Sequence, residues 1–242
     1  NKLLAKKACK ICVAYEVMER FFDKEKIILT GNPVRQNLLN QQMSREDAIR
    51  SFNLDPTKKT VLIVGGSLGA RTINNCVLNG LDQIRQSGVQ FIWQTGKFYI
   101  NEAKEKVGQA ENYPMLHTTD FITDMAAAYS AADLVISRAG AGSISEFCLL
   151  GKPVILVPSP NVAEDHQTKN ALALVAKDAA LYIKDAEASE KLLKTAIETV
   201  QQPETLKKLS TNIAKLAFKD SANTIAEEVW KLALKYRENH EH

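Results

Sequence analysis

The chain has 242 residues, of which 45% are hydrophobic and 24% charged, so it is long enough to bury a core as one large or two small domains. A formal net charge of +3 is too small to indicate nucleic-acid binding, and the lysines of the opening NKLLAKKACK favour a solvated basic face over a contact with anionic lipid. No apolar stretch approaches the ~20 residues that cross a bilayer, and the first residues lack a signal-peptide pattern, so the cytosol is the expected compartment.

The first strand-like run, residues 10–15, contains Cys12 and directly follows Cys9, so the two cysteines have the spacing C-x-x-C. Their spacing occurs in metal and redox sites, but a structural zinc needs four ligands, and Cys76 and Cys148 stand alone in helical patterns without a neighbouring histidine. The pair also does not lie at the strand-to-helix junction that lowers a thiol pKa. We therefore interpret these cysteines as small hydrophobic residues and expect no metal and no cofactor.

Strand-like runs alternate with helical ones along the chain. The predicted strands are residues 10–15, 26–31, 61–66, 90–96, 115–122, 133–139, 153–159 and 180–185. Nearly continuous apolar runs, such as residues 60–64, are typical of a parallel sheet covered on both faces. Ligands of such sheets bind beyond the carboxyl ends of the strands, where glycines 65, 66, 69, 140 and 142 fall. The sequence predicts an α/β fold with a Rossmann-like parallel sheet, helices on both faces, and a ligand site at these glycines.

Three further helical stretches are predicted in addition to the helices that alternate with the strands. Residues 35–52 form a helical run flanked by Pro33 and Pro56, and a lysine-rich helical pattern covers residues 189–218. Its predicted buried face consists of Leu192, Leu193, Ile197, Leu206, Leu209, Ile213 and Leu216. A last helix is predicted after Asp220 or Ser221, with apolar positions at helical spacing at Ile225, Val229, Trp230, Ala233 and Tyr236.

Residues 137–170 read as a strand end, a glycine turn, a helix, a second strand and a polar loop. Residues 143–146 fit the S-x-x-E capping box, and Gly151 is a plausible end of that helix. A helix start preceded by glycines presents N–H groups and a positive dipole end to an anion, so we expect a phosphate there. Glu146 is either a capping partner or a carboxylate that accepts two ribose hydroxyls, and the residues alone do not decide between these roles.

Five short strings, in order, indicate a family. They are GNPVR at residues 31–35, GGSLGAR at 65–71, FITDM at 121–125, GAGSISE followed by GKPVILVP at 140–158, and EDHQTKNA at 164–171. Together they resemble the donor-sugar half of the MurG family of peptidoglycan glycosyltransferases, part of glycosyltransferase family 28, which transfer GlcNAc from UDP-GlcNAc to lipid I and so form lipid II. The resemblance implies the C-terminal domain of a GT-B glycosyltransferase. It divides the chain into a remnant of the N-terminal domain (1–30), a UDP-GlcNAc-binding domain (31–218), and a crossover helix and tail (219–242).

The resemblance also implies roles for individual residues. In this family the transfer inverts the anomeric centre without a metal, so backbone amides and a helix dipole take up charge on the leaving diphosphate. The implied diphosphate groups are Ser67, Ala141, Gly142 and Ser143. The uridine is expected to contact the main chain of Ile122 and Glu146, and Arg35 is expected to contact either phosphate or the uracil carbonyls. The sugar hydroxyls are expected to contact His166, Gln167 and Asn170.

The glycine-rich loops that bind the acceptor in this family, including a GGTGGH-type motif, do not occur in these residues. The resemblance therefore implies that this chain contains no catalytic residue, binds donor without turnover alone, and meets lipid I mainly through a domain that it lacks. It implies a peripheral position on the cytoplasmic face of the bacterial plasma membrane.

Several other activities are alternatives. The spacing of glycines 65, 66 and 69 is not the G-x-G-x-x-G of dehydrogenases, and Lys97 and Lys152 lack P-loop surroundings. A UDP-GlcNAc 2-epimerase reuses a similar diphosphate helix, but GNPVR together with EDHQTKN argues against it. A diacylglycerol glycosyltransferase and a non-catalytic nucleotide-sugar-binding module stay open.

Overall fold

The computed structural model describes residues 2–14, 18–35, 38, 43–108, 112–162 and 165–238. It forms two compact units, one made of residues 1–35 and 217–242 and the other of residues 36–216. The division at residues 30 and 218 that the resemblance implies stays a prediction.

Helices and strands alternate along most of the described residues. The helices are α1 (Lys2–Ala5), α2 (Arg45–Ser51), α3 (Arg71–Asn79), α4 (Leu81–Gln86), α5 (Ile100–Val107), α6 (Met125–Ala131), α7 (Ala141–Leu150), α8 (His166–Val175), α9 (Ala188–Val200), α10 (Pro203–Ala214) and α11 (Ser221–Glu238). The strands are β1 (Ile11–Val13), β2 (Ile27–Leu29), β3 (Thr60–Val64), β4 (Gln90–Gln94), β5 (Leu116–Thr119), β6 (Leu134–Ser137), β7 (Val154–Leu156) and β8 (Leu181–Tyr182). Each of the eight predicted strand runs contains one of these strands, except that β3 begins one residue before its run, and this agreement confirms the sequence pattern.

The larger unit contains a parallel sheet with the order β5-β4-β3-β6-β7-β8. All five residues of β3 and all five of β4 are buried, because helices cover both faces of the sheet. On one face α3 packs against α5 and α9, and elsewhere α6 packs against α2 and β3. The predicted fold class, a Rossmann-like parallel sheet with helices on both faces, is confirmed.

A buried polar pair fixes α3 against β4. The indole nitrogen of Trp93 donates a 3.0 Å hydrogen bond to Oδ1 of Asn74, and the amide nitrogen of Asn74 donates at 2.8 Å to the carbonyl of Thr95. Because both side chains are buried, breaking either bond would leave a desolvated polar group. The start of α3 is therefore held firmly beside the carboxyl end of β4.

The helical predictions are confirmed in part. Helix α2 covers only the end of the predicted run 35–52; it starts after Ser44, whose hydroxyl accepts from the amide of Asp47, and residues 36–37 and 39–42 lie outside the described residues. The pattern at 189–218 is two helices, because Pro203 starts α10. Of its predicted buried face, Leu192, Leu193, Leu206, Leu209 and Ile213 are buried, whereas Ile197 and Leu216 are partly exposed.

The four cysteines divide into two kinds. Cys9 and Cys12 are exposed, and Cys12 lies in β1, the strand predicted for it. Cys76 and Cys148 are buried, and desolvation raises the pKa of each thiol to about 11. These two thiols are packing residues rather than nucleophiles.

The smaller unit joins the two ends of the chain. Strand β1 pairs with β2 in parallel, and the amides of Thr30 and Gly31 donate to the carbonyl of Val13. Gly31 has φ +74°, and a Cβ there would lie 2.4 Å from a Phe218 side-chain atom and 2.7 Å from the Ser221 hydroxyl. Only glycine fits this position.

Helix α11 starts at Ser221, directly after Asp220, as predicted. Of its predicted apolar positions, Val229, Trp230 and Tyr236 are exposed. No described helix combines the length and hydropathy needed to span a bilayer.

Candidate functional site

The candidate site is a cleft where the order of the sheet reverses. Strand β3 lies between β4 and β6, so the chain leaves β3 toward one edge and returns to it at β6. In parallel sheets the loops at such a reversal diverge and open a crevice beyond the carboxyl ends of the strands. Here that crevice has a volume of about 630 Å³. We call it the β3/β6 cleft. Its lining includes Gly65, Gly66, Gly69, Arg71, Thr72, Tyr99, Arg138, Gly140, Ser143, Ser159, Asn161, Gln167 and Asp185.

The first glycine turn, residues 65–70, leads from β3 into α3. Gly66 and Gly69 have φ of +87° and +88°, and the amide of Gly69 donates to the carbonyl of Gly66 at 3.1 Å. A Cβ on Gly69 would lie 2.2 Å from the Thr95 carbonyl oxygen and 2.7 Å from the Tyr99 ring. Ser67 lies in this turn and is exposed, and its carbonyl accepts from the amide of Lys97 at 3.4 Å. The turn itself lines the cleft, whereas Ser67 is not part of the lining.

The second glycine turn, residues 138–140, leads from β6 into α7. Helix α7 begins at Ala141 with Gly140 as its N-cap and has no side-chain cap. The predicted capping box is wrong, because the helix starts two residues before Ser143 and that hydroxyl is past the capping position. Gly151, in the left-handed conformation at φ 59°, ends the helix as predicted.

A helix start whose N-cap residue has no side chain suits a ligand. Among the described residues, no atom beyond the near chain neighbours lies within 4 Å of a Cβ built on Gly140 or Gly142. Packing therefore does not require these glycines, and their missing side chains leave room over the first turn of α7. Gly140 and Ser143 line the cleft, and the implied diphosphate residues Ala141 and Gly142 lie between them in sequence. An anion in this room would meet first-turn N–H groups and the positive end of the helix dipole.

Glu146 lies one turn into α7. Its carboxylate accepts a 2.8 Å hydrogen bond from the hydroxyl of Tyr129, whose ring packs edge-on against Phe147 with centroids 5.9 Å apart. The capping-box role of Glu146 is excluded because α7 has Gly140 as its N-cap, so Glu146 lies three residues past the N3 position. Its proposed role toward a ribose stays a prediction. Tyr129 carried no sequence signal, because it lies in an alanine-rich helix that reads as packing alone.

The polar loop predicted to read the sugar is the start of α8. Gln167 lines the cleft, and its Oε1 accepts from the amides of Ala139 at 3.2 Å and Ser159 at 3.0 Å. The amide nitrogen of Asn170 donates to the carbonyl of Ala139 at 3.2 Å. His166 is the first residue of the helix and is exposed, whereas Glu164 lies outside the described residues. The structure thus joins Gln167 and Asn170 to the second glycine turn.

Ile122 lies in the loop after β5. It is buried, as its apolar side chain requires, and its amide donates to Oε1 of Gln94 at 2.9 Å. The other end of the Gln94 carboxamide donates to the carbonyl of Gly66 at 3.2 Å. Gln94 therefore bridges the Ile122 loop to the first glycine turn, a link that no sequence motif indicated. Arg35 belongs to the smaller unit, in a stretch without helix or strand, so it is not described with this cleft.

Sequence reasoning missed the charged residues of the cleft. The guanidinium of Arg138 forms an ion pair with Asp185, and the hydroxyl of Thr72 donates to the same carboxylate at 2.7 Å. Arg71, the first residue of α3, is an exposed cation on the lining. Arg71 ends the string GGSLGAR and Arg138 lies two residues before GAGSISE, which was the available signal. Thr72 and Asp185 are 113 residues apart, so no local pattern joins them.

Comparison with known proteins agrees with this geometry. A reversal-point cleft in a doubly wound parallel sheet defines the class of α/β proteins that bind nucleotides there. The family model described as "Glycosyltransferase family 28 C-terminal domain" matches residues 60–225. The chain therefore belongs to glycosyltransferase family 28, and its larger unit is the C-terminal domain of a GT-B glycosyltransferase.

Individual relatives point the same way. A protein of Phocaeicola vulgatus named "UDP-N-acetylglucosamine--N-acetylmuramyl-(pentapeptide) pyrophosphoryl-undecaprenol N-acetylglucosamine transferase" is 80% identical over 98% of this chain. The chain spans 63% of that relative's length. The crystal structure of MurG from Acinetobacter baumannii superposes with a TM-score of 0.71 at 25% identity, over 95% of this chain and 62% of that one. A UDP-GlcNAc 2-epimerase from Neisseria meningitidis, bound to UDP-GlcNAc, shares the fold at 16% identity and a TM-score of 0.70, over 95% of this chain and 63% of its own.

Proposed function

We propose that this chain binds UDP-GlcNAc in the β3/β6 cleft and forms the donor half of an inverting GlcNAc transfer to lipid I, which yields lipid II for peptidoglycan. The observation that carries the proposal is that α3 and α7 both begin, without a side-chain cap, on one cleft. Two helix N-termini on one cleft suit a diphosphate, which carries negative charge on both phosphorus centres. The Phocaeicola vulgatus relative is named for this transfer.

In this proposal the diphosphate lies over Ala141, Gly142 and Ser143, with the first glycine turn opposite. When the acceptor hydroxyl attacks the anomeric carbon, the bond to the β-phosphate oxygen breaks and negative charge grows on that phosphate. Fixed N–H groups and helix dipoles stabilise such charge without reorganising during the reaction. Arg71 adds a full positive charge at the lip of the cleft. Ser67 contributes through the backbone of the first glycine turn, because Ser67 is not part of the cleft lining.

The uridine and the sugar take opposite ends of the cleft in this proposal. Glu146 accepts the ribose hydroxyls while Tyr129 holds its carboxylate, and the main chain of Ile122 meets the uracil edge. Gln167 and Asn170 meet the sugar, with His166 beside them. The general base for the acceptor hydroxyl and the contacts to lipid I belong to the rest of the enzyme.

The acceptor places the reaction at a membrane. The relative's name specifies a pyrophosphoryl-undecaprenol acceptor, and a polyprenyl chain stays in the bilayer because each buried CH₂ contributes about 0.8 kcal/mol. We propose that the complete enzyme works as a peripheral protein on the cytoplasmic face of the plasma membrane.

Calorimetric titration of this chain with UDP-GlcNAc, UDP-glucose and UDP tests the donor site. We expect all three to bind, Glu146→Ala to weaken all three, and Gln167→Ala to weaken only the two sugar nucleotides. A wild-type chain that binds none of them would contradict the proposal. Conversion of UDP-GlcNAc to its C2 epimer would instead identify the epimerase alternative, and addition of a lipid I analogue shows whether this chain alone turns over.

A further inference from the structure

A largely buried ion pair joins four parts of the cleft. The side chains of Arg138 and Asp185 are only 16% and 19% exposed. The same nitrogen of Arg138 donates to the carbonyls of Val157 and Pro158, each at 3.0 Å, and Thr72 donates to the other carboxylate oxygen of Asp185. One guanidinium thus connects the end of β6, the loop after β7, the segment after β8 and, through Asp185, the start of α3.

The two backbone amides that hold Gln167 adjoin the residues that Arg138 holds. Ala139 directly follows Arg138, and Ser159 directly follows Pro158. Their N–H groups converge on one end of the Gln167 carboxamide at 3.2 and 3.0 Å. Only the oxygen can accept two N–H donors, so the orientation of this amide is fixed and its NH₂ group points away from them.

We propose that Asp185, acting through Arg138, is a positioning residue that fixes the Gln167 carboxamide with its NH₂ group toward the sugar. This inference rests on the proposed donor site. Gln167 then offers the sugar two donors and no acceptor, so it selects an acceptor oxygen of the N-acetylhexosamine, either a hydroxyl or the acetamido carbonyl. The general expectation that an amide side chain both donates to and accepts from a hydroxyl does not hold at this position.

The ion pair also has an electrostatic role in this arrangement. Asp185 lies on the lining of a cleft proposed to hold a diphosphate, where a bare carboxylate would repel the ligand. Arg138 neutralises that charge while its remaining bonds go to main-chain carbonyls. The network therefore acts on the geometry of Gln167 rather than directly on the phosphates.

The test is calorimetric titration of the full chain with UDP and UDP-GlcNAc, comparing wild type with Asp185→Asn, Gln167→Ala and the double variant. Loss of one oriented hydrogen bond corresponds to about a tenfold change in Kd. We expect Asp185→Asn to raise the ratio of the Kd for UDP-GlcNAc to the Kd for UDP about tenfold, because the charge left on Arg138 acts on the diphosphate of both ligands alike. We expect the double variant to bind UDP-GlcNAc no more weakly than Gln167→Ala alone. Asp178→Asn breaks an exposed 2.9 Å pair with Lys208 and is the control, with both affinities unchanged.

A second pair of variants tests the amide orientation and does not depend on the folding of Asp185→Asn. Gln167→Glu keeps an oxygen on the two backbone amides and turns a second oxygen to the sugar, whereas Gln167→Met offers neither donor nor acceptor. We expect Gln167→Glu to bind UDP-GlcNAc at least as weakly as Gln167→Met.

Three results would overturn the inference. They are equal weakening of UDP and UDP-GlcNAc by Asp185→Asn, additive losses in the double variant, and retention of UDP-GlcNAc affinity by Gln167→Glu. A wild-type chain that binds neither ligand would instead remove the proposed donor site on which the inference rests.

Discussion

The hydroxyl of Tyr129 donates a 2.8 Å hydrogen bond to the carboxylate of Glu146, across from α6 to α7. Tyr129 is buried, and its ring also packs edge-on against Phe147, so the hydroxyl has a fixed position. The pair gives Glu146 one oriented oxygen and explains why a carboxylate one turn into a helix need not act as a cap.

The first prediction concerns this pair. Glu146→Ala should weaken UDP and UDP-GlcNAc equally, by about tenfold or more, because hydrogen bonds to a charged group contribute roughly 1.5–3 kcal/mol. Tyr129→Phe should weaken both by a smaller factor, since it removes only the orientation of the carboxylate. Titration calorimetry measures both, and the control is Glu102→Ala, at an exposed position of α5. A change in sugar selectivity with either variant would contradict a ribose role.

The second prediction concerns Arg71. Arg71→Met should weaken UDP binding about fivefold at low salt. The UDP affinity of the variant should also depend less on salt than that of wild type, because salt screens the lost attraction between charges at the protein surface. Titrations at two ionic strengths measure the effect. Arg50→Met removes the same charge from α2 and should leave the affinity unchanged. Identical salt dependence of Arg71→Met and wild type would show that Arg71 does not meet the diphosphate.

The third prediction concerns the first glycine turn. Gly69→Ala should lower the melting temperature and abolish UDP binding. The alanine Cβ would lie 2.2 Å from the Thr95 carbonyl oxygen, and the alanine backbone would have to adopt φ +88°. Gly88→Ala meets no atom within 4 Å at φ +70°, so it has only the cost of the left-handed conformation, about 1–2 kcal/mol. Thermal unfolding separates the two contributions. Equal destabilisation by the two variants would mean that the turn relaxes around the new methyl group.

The fourth prediction concerns stability away from the cleft. The carboxylate of Asp133 accepts from Arg45 at 2.6 Å, Lys59 at 3.1 Å and the amide of Thr60 at 2.9 Å, and its side chain is 12% exposed. Asp133→Ala should reduce the free energy of unfolding by about 2–4 kcal/mol, because these donors lose a charged, shielded acceptor. Urea denaturation measures it, with Glu102→Ala as an exposed ion-pair control expected to cost under about 1 kcal/mol. A loss for Asp133→Ala no greater than that of the control would refute the prediction.

The fifth prediction concerns pH. Burial lowers the pKa of His117 below its usual 6.5, although a 3.1 Å contact from Nδ1 to the Phe52 carbonyl opposes the shift. The unfolded chain therefore binds a proton at His117 more readily than the folded chain does. The contribution of neutral His117 to the free energy of unfolding is complete above about pH 6.5, and it is lost as the pH falls from there through the pKa of the folded state. Denaturation at several pH values should show wild type losing more stability on acidification than His117→Gln. Parallel curves for the two would contradict it, and His166→Gln is the exposed control.

The strands were predictable because the sheet buries them on both faces. In β3 and β4 every residue is buried, so the sequence has to be apolar throughout and cannot be confused with an exposed segment. The position of the cleft followed from glycines after two strands. The bounds of α7 did not follow, because Ser143 and Glu146 have a capping-box spacing that the backbone places inside the helix.

The connections between distant residues were beyond sequence reasoning. Asp185 meets Arg138 and Thr72 only once β8 lies beside β7 and α3 starts on β3. The sequence predicts a sugar contact for Gln167, but the orientation of its carboxamide depends on the backbone amides of Ala139 and Ser159, which carry no sequence information. The motifs identified part of the cleft lining, including Gly66, Gly140 and Gln167, and the folded backbone determines what each can offer a ligand.

The contact of Gly31 with Phe218 and Ser221 sets an order for synthesis on the ribosome. Gly31 is translated 190 positions before Ser221, and all of the larger unit lies between them. The six-stranded sheet can complete its pairing while α11 is still untranslated, because domains fold as units during synthesis. The β1 and β2 pair therefore gains its Phe218 contact only after the larger unit has emerged from the ribosome.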